Sequence, residues 1–131
     1  MSLKTIIDEL RRQHHISGGR NIAVAVCVID SQTSVVYAVS GRNNSYGGLP
    51  LPLLQNRQFT LIDPPPGHSR DADSEYKILE YIASMYGNSC GINGTIRLHT
   101  ERAPCLSCKD VITQFKQRFP NIILKVSYSY L

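Results

Sequence analysis

The sequence predicts an α/β fold in which helices sandwich a mixed β-sheet. Three observations carry this expectation. Apolar residues recur at helical spacing in three separate stretches, two β-branched runs are joined by a short polar turn, and the C-terminal half alternates helix, strand, helix, strand. That order places at least two strands parallel, joined by a crossover helix.

The elements follow in order. Leu3, Ile6, Ile7 and Leu10 mark a first helix, with Gly18-Gly19 expected to end the segment. Asn21 to Ile29 and Ser34 to Ser40 are rich in β-branched residues and read as an antiparallel hairpin turning through Asp30-Ser31-Gln32-Thr33. From Gly41 to Asp71 the chain gathers Asn43, Asn44, Gly47, Gly48 and prolines at positions 50, 52, 64, 65 and 66, so regular structure is interrupted there. A connection of that length inside a compact domain is ordinarily functional or mobile. Ile78, Leu79, Ile82 and Ala83 give a second helix, with Asp73 and Glu75 in its first turn. Gly94 to Thr100 alternates as a strand. Pro104 then opens a third helix carrying Cys105, Cys108, Val111, Ile112 and Phe115 along one face, and Pro120 stops it. Ile122 to Tyr128 reads as the last strand, followed by Tyr130.

With 131 residues, 42% of them hydrophobic and 18% charged, the chain fits one domain spanning residues 1–131 with one core. No apolar run approaches the ~20 residues a membrane span needs, and the N-terminal stretch lacks the core of a signal peptide. Met1-Ser2-Leu3 is compatible with a natural start and with a fragment of a longer protein. Fourteen Lys and Arg against ten Asp and Glu leave a formal charge of +4, which favours polyanionic partners; a mildly basic surface without such a partner is equally ordinary. Arg97, Arg102, Lys109, Lys116 and Arg118 gather in sequence around the cysteine motif, as a rim for phosphates would.

Four cysteines do not make a disulfide framework in a chain able to build a core. Cys27 lies in an apolar run and reads as a core thiol, and Cys90 as a loop thiol. The other two form Pro104-Cys105-Leu106-Ser107-Cys108, about thirty residues after Asp73-Ser74-Glu75. Paired thiolates at this spacing suit a metal, and the acidic pair offers one oxygen ligand plus one general acid/base, leaving a fourth position open for water. Two residues apart, Asp73 and Glu75 would point away from each other in mid-helix, but at a helix N-terminus both reach past the end. Zinc deaminases carry H-x-E followed by P-C-x-x-C, so here aspartate stands where histidine is expected. Each motif alone has a plainer reading. Asp followed by Glu is a common helix opening, and a lone CxxC is also a redox pair, half of a structural zinc site or two core thiols.

On Asp73-Ser74-Glu75-Tyr76-Lys77 and Thr100-Glu101-Arg102-Ala103-Pro104-Cys105-Leu106-Ser107-Cys108, with the order of elements from Asn21 to Tyr130, the chain resembles the bacterial toxin deaminases of polymorphic toxin systems, within the cytidine deaminase-like superfamily. The resemblance implies a three-layer sandwich with a helix-flanked mixed sheet, a catalytic zinc and a nucleobase substrate. It further implies residence at the C-terminal end of a large secreted toxin acting in the target-cell cytoplasm. Cys105 and Cys108 would be ligands and Glu75 the proton shuttle; Asp73 matches by position, where the superfamily usually places His or Cys. The expected reaction is hydrolysis at C4 of cytosine, with Glu75 moving the proton from water to the ring nitrogen and the departing ammonia. His99, at the end of a strand, is either a base contact or a half-buried strand histidine, and His68 flanks the pocket mouth or replaces a ligand. Tyr128 and Tyr130 either stack on flanking nucleotides or edge the sheet, and Arg102 stands with them as a substrate contact; Tyr46 and Arg57 are further strand contacts. The partners expected are nucleic acid, with DNA favoured, and a cognate immunity protein; a monomer with no membrane association is expected. Deamination of a free nucleoside or small metabolite, and a non-catalytic zinc-stabilised binding module, are the alternatives.

Overall fold

The computed structural model describes residues 2–41, 46–50, 54–60, 73–87, 89–102 and 106–130. Helix α1 spans Leu3–Gln13, strands β1 and β2 span Ile22–Ile29 and Gln32–Val39, and a single 3-10 turn covers Leu54–Asn56. Helix α2 (Ser74–Tyr86), strand β3 (Gly94–Arg102), helix α3 (Leu106–Arg118) and strand β4 (Ile122–Tyr130) complete the order. The sheet runs β2-β1-β3-β4. Pairs β1/β2 and β1/β3 are antiparallel and β3/β4 is parallel, so the predicted mixed sheet and its crossover helix are present.

Alternation along β1 divides the core. Ala23, Ala25, Cys27 and Ile29 face α2 and α3, where they meet Ile78, Leu79, Ile82, Val111, Phe115 and Phe119. Ile22 and Val24 face the other way, toward Ile7 of α1 and Val39. Because successive strand side chains point to opposite faces, one strand buries two layers of helix and the result is a three-layer sandwich. Cys27 is buried in that core, and desolvation raises its thiol above the usual range against the opposing bond from Ser34.

Several boundaries differ from expectation. Helix α1 ends at Gln13, before the glycines. His15 takes φ +53°, and the Ile16 N–H closes back on Arg11 O at 3.0 Å, so the helix is capped without them. The hairpin turn is two residues, Asp30 and Ser31 at φ +51° and +65°, with Gln32 and Thr33 already paired in β2. Positive φ at both central positions matches the twist of antiparallel strands, which a four-residue turn is not needed to supply. Strand β4 extends to Tyr130, which pairs with Arg102, so Tyr130 belongs to the strand with Tyr128 and does not follow it.

Candidate active site

The site forms where α2 begins, β3 ends and α3 begins. Asp73 is the residue before α2, at φ −68° and ψ 142°, and its main-chain carbonyl accepts the first helical bond from Lys77 N at 3.1 Å. Its side chain makes no capping bond. Instead Oδ2 accepts from the Cys108 thiol at 3.3 Å. Cys108 lies in the first turn of α3 and is 1% exposed. Two helix N-termini therefore meet at this contact, and their partial positive ends favour anionic ligands.

The donor set fits zinc. Sulfur and oxygen bound to one tetrahedral ion at ~2.3 and ~2.1 Å lie about 3.6 Å apart, and the observed separation is 3.3 Å. Among the described residues Asp73 and Cys108 form a pair and no cluster of three ligating side chains occurs. Cys105 and Pro104 lie outside the described residues, as does His68.

Glu75, in the first turn of α2, is 5% exposed. Its Oε1 accepts from Ser74 Oγ at 2.6 Å, Asn21 Nδ2 at 2.8 Å and Thr100 Oγ1 at 3.2 Å. Asn21, just before β1, also reaches Ser74 Oγ at 2.8 Å and Thr100 Oγ1 at 2.7 Å, while its Oδ1 accepts from Arg102 N at 3.1 Å. Nothing in the sequence marks Asn21, which carries no motif and precedes an ordinary apolar strand. Ser74 and Thr100 stand inside the two quoted motifs, but only register shows that their hydroxyls converge.

Two buried charges farther along α2 were also missed. Lys77 donates to Val39 O at 2.8 Å and Gly41 O at 2.6 Å, and Glu80 accepts from Gln58 N at 2.8 and 3.0 Å and from Phe59 N at 2.9 Å. Together they fasten the long connection to the helix that carries Glu75.

The remaining expected residues separate by sheet face. Thr100 pairs with Ala23, on the α2/α3 side, whereas His99 pairs with Val24, on the α1 side. His99 is thus held away from Glu75, its ring nitrogens bonded to Ser127 Oγ and Ser129 Oγ at 2.7 Å each. Burial, then the Lys4 charge, hold its imidazole below the usual range, with Glu101 opposing. Arg97 lies on the same face as His99. Tyr128 is 47% exposed and registers opposite Thr100, which places it on the Glu75 side. Tyr130 registers with Arg102, whose side chain is exposed at the end of β3. Tyr46 packs on the α1 side beneath the Arg20 guanidinium, 5.4 Å away, and Arg57 is half-buried beside Gln58.

A helix-flanked mixed sheet of this order, with Asp73 and Glu75 at the start of α2 and Cys108 in the first turn of α3, defines a deaminase-like α/β protein. The chain belongs to the toxin-deaminase family described as the BURPS668_1122 family of deaminases, within the cytidine deaminase-like superfamily, whose model matches residues 8–130. No curated protein matches the chain.

Proposed function

We propose that the chain is a zinc-dependent hydrolytic deaminase of cytosine in nucleic acid, with DNA the favoured substrate. The observation that carries this reading is the contact of Asp73 Oδ2 with Cys108 Sγ at 3.3 Å, at the helix start that presents Glu75. An aspartate that served only its own helix would turn its oxygens onto the free amides of the first turn. Asp73, Cys108 and Cys105 would hold the zinc. When bound there, zinc supplies the Lewis acidity that makes water nucleophilic near neutral pH.

The protein's own residues do the rest. Glu75 takes a proton from the attacking water and delivers it to N3 of the ring, then passes the second to the departing amine. At C4 a C–O bond forms and the C–N bond breaks, so cytosine and water become uracil and ammonia. Tyr128, beside Thr100 on the same face, offers a ring to a flanking base, and Arg102 offers a cation to its phosphate. The biological setting that fits is the C-terminal domain of a secreted toxin, monomeric, acting in the target-cell cytoplasm and neutralised by a cognate immunity protein.

The test is to expose mixed-sequence DNA and RNA pools, single- and double-stranded, to the zinc-loaded protein and to Glu75→Gln, then sequence them. Cytosine read as thymine with the wild type, absent with Glu75→Gln, supports the proposal. Pools that stay unchanged sink it, and adenine read as guanine reassigns the base. Retained activity in Glu75→Gln, within about tenfold, removes Glu75 from its role.

A further inference from the structure

We infer that Asn21 is a positioning residue for the acid/base carboxylate, acting with Ser74 and Thr100 to commit one oxygen of Glu75 to the protein and leave the other for the proton. The inference rests on the deaminase reading of Glu75. All three groups converge on the same atom, Oε1, at 2.6 to 3.2 Å, and no partner of Oε2 is found among the described residues.

The orientation of the Asn21 amide follows from its surroundings. Arg102 N can only donate, so the amide oxygen faces it at 3.1 Å and the amide nitrogen faces Glu75. That nitrogen has two hydrogens and three acceptors, at 2.7 to 2.8 Å. Each hydroxyl can accept from Asn21 while donating to Glu75, so the bonds run in one direction from the amide to Oε1 and polarise one another. Three elements contribute: the lead into β1, the start of α2 and the end of β3. The same asparagine therefore links the carboxylate to the strand that leads into the cysteine motif. A proton shuttle needs one oxygen steady in hydrogen-bond reach of both water and ring nitrogen. Pinning Oε1 removes the carboxylate rotation that would exchange the two.

The test compares Asn21→Ala, Asn21→Asp, Thr100→Val and Thr100→Ser with the wild type on a cytosine-containing oligodeoxynucleotide. Asn21→Ala and Thr100→Val are expected to lower kcat roughly tenfold to a hundredfold with KM within about threefold, and to combine less than additively. Thr100→Ser, which restores the hydroxyl, returns kcat to within about threefold of the wild type. Asn21→Asp keeps the acceptor for Arg102 N but replaces the donor with a carboxylate facing Glu75, so a positioning role predicts a loss of kcat at least as large as in Asn21→Ala. In crystals of metal-free Asn21→Ala, Glu75 is expected in a second rotamer. Wild-type kcat in Asn21→Asp and Thr100→Val, or a Glu75 side chain unmoved in the crystal, would overturn the inference while a dead Glu75→Gln left the deaminase reading intact. A wild-type protein that deaminates nothing would overturn both.

Discussion

Asp73 and Cys108 meet through side chains from two different helix starts, the thiol donating to the carboxylate at 3.3 Å, and both are residue types that can ligate zinc. Two thiolates and a carboxylate would surround a zinc with three negative ligands, one more than a His/Cys/Cys site supplies. Cys105→Ser and Cys108→Ser are each expected to lose zinc and to melt earlier, whereas Cys27→Ser in the core and Cys90→Ser in an exposed loop keep it. Equal zinc in all four variants by elemental analysis would reject the ligand set. Asp73→Ala should weaken zinc binding and Asp73→His should retain it. Asp73 and Cys108 were legible as candidate ligands because metal ligands must be particular types at particular spacings. Asn21 was not, since its value comes from where three elements put it. His99 was visible as a strand histidine, but its face depends on register, which a one-residue slip reverses. A neutral imidazole has one donor and one acceptor, and Ser127 and Ser129 supply a partner for each. Its depressed native value means that the folded state binds fewer protons than the unfolded one. The associated stability is therefore present above about pH 6.5 and lost as pH falls through the lower native value. Lys4, Arg97 and Lys125 line the groove beside the ring. Thermal melts should drop on acidification below about pH 6.5, and His99→Gln should flatten that slope; parallel profiles would assign the acid sensitivity elsewhere.

Element types could be read from periodicity, whereas their ends could not, because ends depend on partners the pattern does not contain. The β1/β2 turn shows this. Its sequence lacks the Asn-Gly signal of a two-residue turn, yet strand register forces Asp30 and Ser31 to positive φ. Ser31 there bears a conformational cost that glycine avoids, so Ser31→Gly should stabilise the protein by roughly 0.5 to 1 kcal/mol in denaturant melts. A destabilised variant would mean that the Ser31 side chain contributes more than its backbone costs. Helix α2 gives the opposite case, in which polar residues do core work. Glu80 sits in the buried layer because three main-chain hydrogen bonds from Gln58 and Phe59 satisfy its carboxylate. Phe59 in turn packs 6.0 Å from Phe115, and Phe115 lies 5.0 Å from Phe119, so the clamp also seats an aromatic row. Glu80→Ala strands those amides and should cost about 2 kcal/mol or more. It should also raise proteolysis at Gln58 to Thr60; an unchanged cleavage pattern there would show that these residues are held by other contacts.

On the whole molecule, the sheet decides which cations can serve the site. Five basic residues cluster in sequence around the cysteine motif, but Arg97 alternates to the α1 face and registers opposite Lys125, while Arg118 donates to Gly87 O at 3.1 Å and lies 5.7 Å from the Phe119 ring. Arg102, at the end of β3, and Lys109, next to Cys108 in the first turn of α3, stay exposed on the elements that carry the site. Lys116 is exposed two turns farther along α3. The net charge of +4 is thus spread over both faces, and only part of it could follow a nucleic-acid strand whose base entered the site. Each phosphate contact on single-stranded nucleic acid contributes about 0.7 to the slope of log K against log salt. The double variant Arg102→Ala/Lys109→Ala should therefore flatten that slope by roughly 1.4 while leaving the zinc content intact. Arg97→Ala/Lys125→Ala, with the same loss of charge on the opposite face, should leave the slope unchanged. Equal flattening in the two variants would mean that binding follows overall charge rather than a path through the site, and nucleic acid would then be only a nonspecific partner of this surface.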